Sequence, residues 1–155
     1  MAFRVLGIDP APFAHLKDLS DEALAAIGIR RCTVDAKPGF PDRVEVRDLE
    51  LGETALLLNY THQPADTPYR ASHAIFVGEQ ARQQLDMIDA LPEAILRRPI
   101  SLRAFNAAGE MVDADLAEGG MLEPVILRFL DRADVDYLHA HYAKPGCYAA
   151  RIERA

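Results

Sequence analysis

An α+β fold is what this sequence predicts, as one domain with a mixed, largely antiparallel sheet of about seven strands and three or four helices. Three observations point there. The 155 residues are half hydrophobic, enough for one core. Strand-like runs follow one another too often for alternating βαβ units. No low-complexity or linker-like stretch divides the chain, so residues 1–155 read as one domain.

Taken in order, residues 3–8 alternate apolar and other side chains and form a first strand. Pro10 and Pro12 open a short helix to about Lys17, since proline is tolerated in a first turn. Ser20 caps a second helix whose first turn carries Asp21 and Glu22, and Gly28 ends it. Residues 29–36 and 43–47 read as strands on either side of Lys37-Pro-Gly-Phe-Pro41, a run of strong turn formers. Residues 54–60 are apolar enough for a strand covered on both faces. Residues 61–72, with Pro64 and Pro68 among polar side chains, are expected to be irregular. A strand resumes over 74–77. Ala81, Leu85, Ile88 and Leu91 then suggest a helix over 78–91, and 93–98 a further turn. Residues 100–105 and 111–116 form a hairpin, 122–132 a helix with Pro124 near its start, and 135–141 and 148–152 a final strand pair around Lys144-Pro-Gly146.

The formal net charge is −7, from 24 acidic and 17 basic residues. Such a balance argues against a nucleic-acid partner. The acidity is local: residues 110–136 hold eight acidic groups against two basic, whereas 137–155 hold one against three. A small anion bound near the C-terminal strands is therefore compatible with the global charge. No run approaches the roughly 18 apolar residues of a membrane helix, and the N-terminus shows no export signal. Two isolated cysteines, Cys32 and Cys147, then fit the reducing cytoplasm.

Chemistry concentrates in two places. Residues 59–73 hold His62, His73, Tyr60, Tyr69, Arg70 and Ser72 between two apolar strands. Loops held by a rigid scaffold often carry binding groups. Arg70 suits a carboxylate or phosphate, and a histidine suits proton transfer near neutral pH. The second place is His139-Ala-His141. On a strand, residues two apart face one side, so both rings can reach one ion or one substrate. Arg103 would strengthen an anion pocket if it faces the same way. Cys147 depends on the hairpin register: a simple two-residue turn gives it the face of Tyr142, away from the histidines, but Pro-Gly suits such a turn poorly and a one-residue bulge would switch the faces, so the face stays open and a buried inert thiol is the expectation. Gly-x-Gly-x-x-Gly, the phosphate loop, Gly-x-Ser-x-Gly and Cys-x-x-Cys are all missing.

The strings Asp35-Ala-Lys-Pro-Gly39, His62-Gln-Pro-Ala-Asp-Thr-Pro-Tyr-Arg70, Ser101-Leu-Arg-Ala-Phe105 and Ala143-Lys-Pro-Gly-Cys147 are distinctive together. Through them the chain resembles the bacterial family catalogued as domain of unknown function 1203. The resemblance implies a single-domain bacterial protein and brings no activity or catalytic residues with it.

The leading expectation is a cytoplasmic protein that binds a small anion. His62, His73, His139 and His141 are candidate acids or bases, and Tyr60, Tyr69, Arg70, Ser72 and Arg103 are candidate ligand contacts. A non-catalytic interaction or regulatory module is the alternative, and a metal-dependent enzyme built on His139-x-His141 is the third reading. The sequence assigns no metal ligand set, no cofactor and no oligomeric state.

Overall fold

A computed structural model describes residues 1–155. Two antiparallel sheets carry the chain. The larger has the strand order β5-β1-β9-β8-β6-β7, from β1 (Phe3–Leu6), β5 (Asp86–Ile88), β6 (Pro99–Phe105), β7 (Met111–Glu118), β8 (Tyr137–Tyr142) and β9 (Tyr148–Arg154). The smaller has the order β2-β3-β4, from β2 (Arg30–Thr33), β3 (Thr54–Gln63) and β4 (Ala71–Gly78). The helices are α1 (Asp21–Ala26), α2 (Glu93–Leu96) and α3 (Leu122–Leu130), with a 3-10 helix over Ala11–Asp18 and a short one over Gly119–Met121. No helix is long and apolar enough to cross a membrane.

Local chemistry explains the helices. Ser20 accepts a hydrogen bond from the Ala23 amide, and Gly28 takes the left-handed conformation just past the end of α1. In α3, Leu122, Ile126, Phe129 and Leu130 repeat at helical spacing and are all buried. That stripe covers one face of the large sheet, against Leu102, Leu138, Ala140 and Ile152. The opposite face of the large sheet meets the small sheet. Tyr148 of β9 shares a core there with Leu56 and Leu58 of β3 and Ile75 and Val77 of β4. The result is three layers: helix, large sheet, small sheet.

Three expectations are corrected. Residues 78–91 are not helical. The Leu85 amide bonds the Val44 carbonyl, the Leu85 carbonyl accepts from Gly7, and β5 then pairs with the edge strand β1. Long-range pairing thus replaces the bonds a helix would make, and the three- and four-residue spacing of Ala81, Leu85 and Ile88 is incidental. Residues 43–47 are not a strand either. The Asp42 carboxylate accepts the Gly78 and Glu45 amides, and the Asp42 amide bonds the Arg47 carbonyl, so the segment closes on itself. Finally, the sheets extend further into residues 61–72 than expected. β3 runs to Gln63 and β4 begins at Ala71, with a register shift between Tyr60 and Gln63. Gln63 is buried and donates to the Tyr137 hydroxyl at 2.7 Å, which ties the small sheet to the large one.

Candidate metal centre

β8 lies between β6 and β9 and is buried along its whole length. Its alternation therefore sorts side chains between two interiors. Leu138 and Ala140 enter the core under α3, and His139 and His141 face the small sheet. Register adds neighbours on the histidine face. Arg103 of β6 and Arg151 of β9 flank His139, and Ser101 of β6 lies opposite His141. A bulge in β9 then moves the pairing by one residue and sets Tyr148, not Ala149, opposite His141. The Tyr148 ring fills the gap between the layers and stacks on His62 at 5.4 Å with the planes 6° apart.

His62, on β3, completes the cluster. Its ring lies 4.9 Å from that of His141 and 6.0 Å from that of His139, centroid to centroid. One ring nitrogen from each of the three histidines lies within 4.8 Å of those of the other two. His139 and His141 are buried and His62 is half-buried. The Nδ1 atoms of His62 and His139 and the Nε2 atom of His141 are buried and have no hydrogen-bond partner. An unpaired buried polar atom costs about 1–3 kcal/mol, so three within one histidine cluster are expensive unless something satisfies them.

The His141 tautomer follows from its surroundings. Its Nδ1 lies 2.9 Å from the Gly146 carbonyl, which can only accept. The proton is therefore on Nδ1, and Nε2 offers a free lone pair. A backbone carbonyl fixing a ring this way is a common support for metal-binding histidines. Burial lowers the pKa of all three rings, to about 4 for His62 and about 3 for His139 and His141, and the positive Arg103 pushes each the same way. At neutral pH they are uncharged, the form that ligates metals.

Arg103 is the cation of this face that no acidic side chain engages. It is half-buried, no carboxylate pairs with it, and its Nε reaches the Ser101 hydroxyl at 3.3 Å. Arg151, by contrast, is engaged with Glu153 and with the Tyr137 ring.

The expected site residues thus divide. His62, His139, His141 and Arg103 come together. Tyr60 stands at the edge of the cluster, its ring 5.9 Å from Tyr148. His73 pairs across the strands with Tyr60, and its Nδ1 lies 2.9 Å from the Ala74 carbonyl. Tyr69, Arg70 and Ser72 are exposed, and Arg70 is turned back to donate to the Pro64 carbonyl. Cys147 pairs with Tyr142 through the backbone and shares the core under α3, away from the histidine face. Tyr148 is the site residue that sequence reasoning misses: the Pro-Gly turn signals a bulge, but not where in β9 it falls, and that position sets Tyr148 opposite His141.

A family described as a protein of unknown function (DUF1203) matches residues 39–154. No curated protein and no solved structure matches the chain.

Proposed function

The chain belongs to the DUF1203 family of proteins of unknown function, and we propose that it binds one divalent transition-metal ion through His62, His139 and His141 and uses it to hold a small anionic ligand beside Arg103. The supporting observation is a cluster of three histidines from two different sheets, each offering a ring nitrogen within 4.8 Å of those of the other two and each carrying a buried nitrogen without a hydrogen-bond partner. One ion satisfies all three at once. Imidazole donors suit zinc and its neighbours, and three of them leave a coordination position open, the arrangement of catalytic rather than structural zinc.

The protein's own contribution is position and charge. Three neutral ligands leave the dication uncompensated, and the guanidinium of Arg103 adds a second positive charge. An anion is the ligand that both would favour. When bound, the ion supplies Lewis acidity. The surrounding aromatic rings of Phe105, Tyr137 and Tyr148 limit water.

Untagged protein, equilibrated with zinc and freed of excess by gel filtration, is expected to carry one equivalent by elemental analysis. His62→Ala is expected to carry well below that amount. Substoichiometric zinc in the wild type, or full loading of the variant, would refute the proposal.

A further inference from the structure

Apart from the histidines lies a cavity of about 550 Å³, bounded by the turns at Pro38–Pro41 and Lys144–Pro145, by β4 and by the start of β6. None of the three clustered histidines lines it. Its walls carry Arg43, Arg97, Arg98 and Lys144 and no Asp or Glu, in a chain with net charge −7.

The carboxylates that compensate two of these cations do not line the cavity. Asp48, whose side chain is 2% exposed, takes both outer nitrogens of Arg98 at 2.6 and 3.0 Å and one of Arg97 at 3.5 Å. Glu93 takes a second nitrogen of Arg97. Arg43 and Lys144 pair with no carboxylate. Arg43 is 1% exposed and donates instead to the Pro41 carbonyl, to the Tyr148 carbonyl at 2.7 Å and to the Cys147 sulfur at 2.9 Å. A buried cation without a counter-charge is costly, and an anion in the cavity would offset it.

A second observation points to a ligand. Tyr142 is 2% exposed, lines the cavity, and its hydroxyl has no hydrogen-bond partner. Its ring is flanked by the guanidinium groups of Arg43 at 4.9 Å and Arg98 at 5.0 Å, so its donor lies in a positive field. Leu57 and Phe76 give the same cavity an apolar wall.

We infer that this cavity is a separate binding site for a small organic anion. The apolar body lies against Leu57 and Phe76, and a carboxylate or phosphate meets the Tyr142 hydroxyl and the cationic side chains. This inference stands independently of the metal reading.

The test is an NMR titration of amide shifts at constant ionic strength with four probes: phenyl phosphate, benzoate, inorganic phosphate and benzyl alcohol. An aromatic anion should saturate one site, with shifts centred on residues 38–43, 74–76, 97–99 and 142–147. The better of phenyl phosphate and benzoate identifies the acid group. Inorganic phosphate and benzyl alcohol, each lacking half of the recognition, should bind at least tenfold more weakly. Lys144→Gln combined with Arg97→Gln, both at the exposed rim, should weaken the aromatic anion at least tenfold. The inference is overturned if neither aromatic anion saturates, if benzyl alcohol binds equally, if the double variant retains full affinity, or if the shifts centre on His62 and His139.

Discussion

Replacing His139 by phenylalanine is expected to weaken zinc binding by at least 100-fold while leaving the metal-free protein as stable as the wild type, or more so. Loss of an outer-shell partner of a metal ligand typically costs 10- to 100-fold in affinity, and loss of a ligand should cost at least the upper figure. The stability side runs the other way. His139 is 3% exposed and packs against Phe105, Tyr137 and Tyr148, with ring centroids 4.9 to 5.2 Å away. A phenyl ring keeps that packing and removes the unpartnered Nδ1, worth about 1 kcal/mol or more in favour of the variant. Calorimetric zinc titration and chemical denaturation, run on the same preparations, check both halves. A large loss of stability would mean that His139 serves the fold, and unchanged zinc affinity would remove it from the metal site.

The second large effect is expected at Arg43. Arg43→Ala should destabilise the protein by about 3 kcal/mol or more, seen as a lower denaturation midpoint without a change in slope. The guanidinium joins the 41–48 loop to the hairpin between β8 and β9, through the carbonyls of Pro41 and Tyr148. Each carbonyl left unpaired costs about 1–3 kcal/mol, and the lost packing against Tyr142 adds to that. Arg43→Lys should recover little, because an ammonium group cannot span three acceptors arranged around a planar fork. The same residue holds the backbone of Tyr148, whose ring stacks on His62. Arg43 therefore braces the wall between the cavity and the histidine cluster.

What the sequence made legible follows from periodicity. The period of two in Tyr137–Tyr142 placed His139 and His141 on one side, and the helical spacing from Leu122 to Leu130 is the stripe that buries α3. The face of Cys147 stayed open in the sequence, because a bulge at the Pro-Gly turn would switch it, and the structure sets it with Tyr142. What stayed hidden depends on long-range pairing. The strand continues through Thr61 to Gln63 across an irregular register, and the run of polar residues and the two prolines that follow mask it, so residue type alone assigns His62 to a loop rather than to a strand facing β8. Ala81, Leu85 and Ile88 fit a helix equally well until the edge of β1 claims the segment. The bulge that turns Tyr148 toward His62 is a property of two paired strands, not of either one. Arg43 and Asp48 give no local signal, since the partners that tie them to the rest of the fold lie about 50 to 105 residues away.

Three imidazoles sharing one ion are the core of the proposed site, and X-ray absorption at the zinc edge of the reconstituted protein tests that directly. Three histidine nitrogens at about 2.0–2.1 Å, with the multiple scattering of imidazole rings, are expected in the wild type, falling to two or fewer in His139→Phe. A spectrum dominated by oxygen or sulfur donors, or one that His139→Phe leaves unchanged, would contradict it.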